Sequence, residues 1–227
     1  MPSASFNDGL RDCKRERKKR YNNQLQGIVM RRLVTLTTFS ALFSLLVTLP
    51  TFAGWQLSDE ASQLSFVTTK NSDIAETHSF ESLSGDINAQ GQVSFHINLA
   101  SVNTAIAIRD QRMQKLLFEL DRFTTAEFTG KVDIRFIEAL PVGQIKYLPL
   151  AGDIRLHGNK QAVTTKVQLI KLASNRFAVN TVKPVLLNAN QYGLVAGIEK
   201  LRAIAGLNLI SNTVPVTFNL VFEYQTN

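Results

Sequence analysis

The chain has 227 residues, 44% of them hydrophobic, with 25 Lys and Arg against 18 Asp and Glu and a formal net charge of +7. The excess sits at one end: residues 1–53 carry nine basic and three acidic side chains, which leaves sixteen against fifteen on residues 54–227. A nearly neutral remainder argues against a phosphate-tracking surface there, and so against a nucleic-acid partner. The only cysteine, Cys13, lies in the basic end, so neither disulfides nor thiol chemistry are expected of residues 54–227.

Residues 1–29 contain the charge run Arg11 to Arg20, which has no apolar periodicity and reads as a disordered basic extension or as sequence ahead of a true start at Met30. Met30-Arg31-Arg32, the apolar run Leu33 to Leu49, Pro50 and the small-residue pattern Thr51-Phe52-Ala53 are the three parts of a secretory signal peptide. Cleavage is expected after Ala53, with a periplasmic product of residues 54–227. An uncleaved anchor is the alternative, since a run of that length just reaches across a bilayer.

In the expected product, Leu64, Phe66 and Thr68 alternate with polar neighbours, and Lys70 to Asp73 supplies a turn. A segment from Ile74 to Ile87 leads through Asn88-Ala89-Gln90-Gly91 into Val93, Phe95, Ile97 and Leu99, which reads as the second arm of a hairpin. Past Ser101 to Thr104 the period changes from two to between three and four, giving a short helix with Met113, Leu116 and Leu117 inward and Arg109, Arg112 and Lys115 toward water or a partner. Asp121 to Phe128 is expected as a loop, and Lys131 to Leu140 as a strand with Val132, Ile134 and Phe136 on one face. A hairpin turning at His157-Gly158-Asn159-Lys160 joins Leu148 to Leu156 with Val163 to Leu169. The run Arg176 to Leu187 is interrupted at Pro184, a second helical pattern over Ile198 to Ala205 stops near Gly206, and Val214 to Tyr224 alternates most cleanly of all. Eight or so hairpin-linked strands with two short helices imply an antiparallel barrel or sandwich.

The inward faces so defined contribute Phe66, Phe95, Ile97, Leu116, Val132, Ile134, Phe136, Ile154, Leu156, Val167, Phe218 and Leu220. Alternation does not distinguish a filled core from the wall of a cavity. His78, His96 and His157 fall on three separate elements without metal-ligand spacing, so no metal site is expected. Glu76, Glu81 and Asp86 lie near His78 but are read as divided between two strand faces. No Gly-x-Ser-x-Gly elbow, glycine-rich phosphate loop or cysteine nucleophile occurs in residues 54–227, and neither an enzyme nor a cofactor is indicated.

Three pieces together carry a family resemblance: LSGDI at 83–87 followed by INLASVNTAIAIRDQRMQKLLF at 97–118, the hairpin LAGDIRLHGNKQAVTTKVQL at 150–169, and Asn190 to Leu194 ahead of the closing strand. In this order and spacing the chain resembles the YceI-like family, secreted bacterial proteins described as polyisoprenoid-binding. The resemblance implies an eight-stranded, lipocalin-like antiparallel barrel with short capping helices, one of them closing an end, and an apolar interior that holds an isoprenoid tail. The expected partner is then an isoprenoid lipid or quinone, carried in the periplasm without chemistry. Arg109 and Arg112, three apart on one helical face, are candidates for a phosphate or quinone head group, with Asp110 and Glu119 as their local alternatives. A barrel filled by its own side chains and acting through a membrane protein partner is the second reading, which the polar segment Lys70 to Phe80 favours.

Overall fold

The computed structural model describes residues 54–225; the extension and the signal peptide assigned to residues 1–53 lie outside them. Twelve strand segments occur: β1 (Gly54–Leu57), β2 (Gln63–Lys70), β3 (Ile74–Phe80), β4 (Leu83–Ile87), β5 (Gln92–Asn98), β6 (Val102–Asn103), β7 (Thr125–Lys131), β8 (Ile145–Leu156), β9 (Asn159–Ala173), β10 (Arg176–Thr181), β11 (Val185–Asn188) and β12 (Thr213–Gln225). Their pairing reduces them to eight. β1 and β2 follow one another along the same edge of β12, β4 and β3 lie beside them in turn, and β5 and β6 beside those. On the other edge of β12, β10 and β11 form one interrupted strand. With β7, β8 and β9 completing the circuit, all neighbours are antiparallel and the barrel is closed.

At the interruptions, side chains replace missing ladder partners. Asp59 Oδ1 accepts from the Leu83 amide at 2.8 Å, Ser101 Oγ from those of Glu81 and Ser82, Ser62 Oγ from Val221 and Thr181 Oγ1 from Phe218. A kinked strand thus keeps its buried backbone groups satisfied. The turn between β8 and β9 is the two-residue kind, with His157 and Gly158 both at positive φ (50° and 77°), the conformation that matches the twist of the flanking strands.

Helix α1 (Ala107–Arg112) runs on into a π-helical turn, Met113–Leu117, and crosses helix α3 (Val195–Ile204) over the end of the barrel that carries the β2–β3 and β8–β9 turns. The crossing is close because Gly197 has no side chain: a Cβ there would stand 2.6 Å from the Leu116 carbonyl oxygen and 2.8 Å from Leu117 Cα. Helix α2 (Ile134–Ala139) plugs the opposite end, where Ile137 and Leu140 join Trp55, Ile87, Leu169 and Phe177 in the main core. Beneath it the buried Lys171 donates from Nζ to the Ile137 carbonyl at 3.3 Å and lies 4.8 Å from the centre of the Trp55 ring. Burial holds the Lys171 ammonium below the usual lysine range, with the carbonyl and the ring compensating the charge.

Two segments differ from expectation. The presumed loop at 121–128 gives way to β7 from Thr125, and the presumed strand over Lys131 to Leu140 is mostly α2. Ile134, Ile137 and Leu140 are three apart, and Asp133 caps the first turn by accepting from the Arg135 amide, so the apolar run satisfies a helical period as well as an alternating one. Phe136 consequently turns outward and is 38% exposed. Substituting Gly197→Ala is expected to force α1 and α3 apart and cost about 1–3 kcal/mol, read as a lower urea midpoint at unchanged m-value.

A candidate ligand-binding cavity

Inside the barrel is a cavity of about 490 Å³, within the range of small-ligand sites. Its wall runs from Ile87, Val132 and Ile137 at the α2 end to Ile106, Leu207 and Ile210 at the α1–α3 end. Inward residues along it, among them Ile97, Phe128, Ile154, Val179 and Phe218, are only half-buried although they point away from bulk water. The interior is therefore not filled by its own side chains.

Nine of the twelve residues assigned to the inward faces line this space: Phe66, Phe95, Ile97, Val132, Ile154, Leu156, Val167, Phe218 and Leu220. Leu116, Ile134 and Phe136 do not. For Leu116 the reason is the π-helical turn, whose extra residue per turn rotates it off the cavity face and leaves Met113, Leu117 and Phe118 there instead. Ile134 packs against the core from within α2, and Phe136 lies on the outside of that helix.

Polarity changes along the wall. On β2 the inward side chains are Leu64, Phe66, Thr68 and Lys70 in order, and on β3 they are Phe80, His78 and Glu76, so both strands pass from apolar to charged as they approach α1. There one carboxylate oxygen of Glu76 receives Lys70 Nζ and Arg109 Nη1, each at 2.6 Å, while Arg109 Nη2 donates to the Thr104 carbonyl. The Lys70 hydrogen bond, followed by the charge of Arg109, holds the Glu76 carboxyl below its usual range against the opposing effect of burial. His78 is 5% exposed, lies 3.0 Å from Thr68 Oγ1 through Nε2, and is held below the ordinary imidazole range by burial and then by the Arg109 charge. Among the described residues His78 Nδ1 and Arg109 Nε have no hydrogen-bond partner although both are buried. Such groups are costly to leave unsatisfied and mark a place where a polar ligand atom can be received.

Of the two head-group candidates, Arg109 is thus engaged with Glu76 rather than with Asp110 or Glu119. Asp110 instead accepts from Thr104, and Glu119 pairs with Arg122. Arg112 is exposed at the same end of the cavity and forms no ion pair among the described residues. From sequence Lys70 is placed in a turn, and Glu76 and His78 are weighed and set aside, although the signal is present: Glu76, His78 and Phe80 share one strand face by alternation, as do Phe66, Thr68 and Lys70. The polar segment Lys70 to Phe80 therefore belongs to one end of the cavity. His96 sits outside, bonded to Ser94, and His157 occupies its turn against Phe123. Among the described residues no group of three metal-ligating side chains converges.

A closed eight-stranded barrel with an apolar lumen, helical plugs and a charged end defines a small lipocalin-like binding protein. A family model described as YceI-like domain matches residues 55–222. The chain belongs to the YceI-like domain family. Among solved structures, a polyisoprenoid binding domain from Saccharophagus degradans, implicated in plant cell wall breakdown, is 38% identical, with a TM-score of 0.75 over 76% of this chain and 99% of its own. Burkholderia cenocepacia BcnA shares the fold at 17% identity and a TM-score of 0.57, over 73% of this chain and 98% of its own. Comparison with curated proteins gives no match.

The two depressed pKa values set the acid limit of the charged end. Above the ordinary imidazole range His78 is neutral folded and unfolded; as pH falls through about 6.5 the unfolded chain takes up the proton first and stability declines toward the folded pKa. Glu76 adds a second loss below the ordinary carboxylate range, for the same reason. Thermal midpoints measured against pH are expected to fall in two steps, and His78→Gln is expected to remove the first step while leaving the second.

Proposed function

We propose that this protein binds the isoprenoid tail of an amphiphile inside its barrel and carries it in the periplasm without altering it. The observation that carries this reading is the shape of the polarity: an unfilled apolar lumen running the length of the barrel, with charge confined to one end. An extended tail in that lumen gains about 25 cal/mol for each Å² of apolar surface removed from water, and its head is left beside Lys70, His78, Arg109 and Arg112. The name of the 38% identical Saccharophagus domain supports an isoprenoid as the tail. The signal peptide expected over residues 30–53 supports the periplasm.

Native mass spectrometry of protein recovered from the periplasm tests both statements at once. A product beginning at Gly54 with a bound species whose mass fits a series of isoprene units is the expected result. A bare mass that persists when polyprenyl lipids and quinones are offered overturns it. Filling the lumen is a second test: Ile97→Trp with Ile154→Trp is expected to weaken tail binding by about tenfold or more with the thermal midpoint retained. For the head group, Arg112→Ala is expected to weaken a polyprenyl phosphate several-fold more than an uncharged quinone, since Arg112, unlike Arg109, forms no ion pair among the described residues. Equal losses for the two ligands would remove Arg112 from that role.

A further inference from the structure

We infer that the charged end of the barrel is a membrane-docking face, which sets the cavity mouth against an anionic bilayer surface. This rests on the reading that the cavity holds an amphiphile. Scattered exposed hydrophobic residues are ordinary, but here Ile74, Ile106, Ile108, Ile204 and Leu209, each about half exposed, surround one opening. Ile106, Ile108 and Ile204 line the cavity themselves. Leu209 and Ile74 are held to the same rim, because the Leu209 carbonyl accepts from the Asn71 amide at 3.0 Å and Ile74 pairs with Lys70 across the β2–β3 turn.

The exposure of Ile106 is maintained by a constrained backbone. Ala105 has φ of 59°, a left-handed conformation unfavourable for any residue with a Cβ. It is held there by Asn103 Oδ1, which accepts from the Ala105 amide at 2.8 Å, and by the Asp110 carboxylate, which accepts from the Thr104 amide at 2.9 Å. The chain then enters α1 with Ile106 and Ile108 half exposed at the margin of the opening.

Basic side chains stand among the apolar ones. Arg112 follows Ile108 by one turn of α1, Lys115 is exposed in the π-helical turn that continues it, and Lys200 precedes Ile204 by one turn of α3. None of the three forms an ion pair among the described residues. The nearby acids are largely engaged: Glu76 with Lys70 and Arg109, Asp110 with Thr104, and Glu199 with Arg202, which leaves Asp73. Half-exposed isoleucines interleaved with long-stemmed cations are what the boundary between acyl chains and anionic head groups attracts. A protein seated here would stopper the opening, whereas a bilayer would let a tail pass into the lumen without crossing water.

The domain can be tested alone, because residues 54–225 close their own barrel and a chain of nearly the same extent stands alone in the Saccharophagus structure. Delipidated 54–227 protein is expected to float with vesicles of phosphatidylethanolamine and phosphatidylglycerol, and weakly with phosphatidylcholine. Ile106→Ser, Ile108→Ser and Ile204→Ser together are expected to reduce floated protein about tenfold or more, and Lys115→Glu with Lys200→Glu to abolish the preference for anionic vesicles. The Lys115→Glu with Lys200→Glu variant, which changes no cavity-lining residue, is expected to bind polyprenol presented in detergent as the wild type does, which keeps the docking face separate from the cavity. Absence of flotation, or a serine variant that floats like the wild type, overturns the proposal. So does a serine variant that shifts self-association in sedimentation without affecting vesicles, since the rim is then a contact between copies. Failure of all forms to bind polyprenol would instead remove the cavity reading and leave the flotation result to stand on its own.

Discussion

The double pairing of the last strand is the constraint on which the interior depends. β12 is bonded along one edge to β10 and β11 and along the other to β2 and β1, and this contact turns a meander into a ring. Closure satisfies ladder groups that an open sheet would expose at its edges, so the inward faces can be almost wholly apolar without a core to cover them. The serine, threonine and aspartate side chains at the strand interruptions serve the same end. They allow the wall to bend while the backbone inside it stays hydrogen-bonded.

An apolar lumen alone would not orient an amphiphile. In the function proposed above that orientation comes from the charged end, where three cationic or titratable side chains meet one carboxylate. Glu76 stands between Lys70 and Arg109, and removing it would leave two cations facing each other in a partly desolvated space. The network fixes Arg109, whose charge adds to burial in holding His78 below the ordinary imidazole range, yet among the described residues buried hydrogen-bonding atoms on both residues have no protein partner. Rigidity and incomplete satisfaction together are properties of a binding site more than of a structural ion pair.

The plugs determine what can enter. α2 seals its end with Ile137 and Leu140 and is anchored from below by Lys171, whereas the α1–α3 pair meets at Gly197 and leaves Ile106, Ile108 and Ile204 at the margin of the cavity. The two ends of the barrel therefore differ in kind: one is a packed extension of the core, the other a charged mouth with apolar lips.

Much of this was determined by the sequence alone, wherever a local period sufficed. The alternation in β5 and β12, the turn at His157-Gly158, the helix ending near Gly206 and the signature segments each specify their structure within a few residues, and together they identify the barrel and its family. The run from Ile134 to Leu140 was ambiguous because spacings of two and of three both fit it, and only packing beneath the barrel selected the helix. The π-helical turn that moves Leu116 off the lumen leaves no mark in a pattern of spacing. The pairing of Arg109 with Glu76, 33 positions apart, required the register of β3 against α1, which no local rule supplies. Above all, an inward apolar face looks the same in sequence whether it meets another side chain or empty space. Only the closed ring, eight strands wide, decided that the faces stand too far apart to fill the space between them.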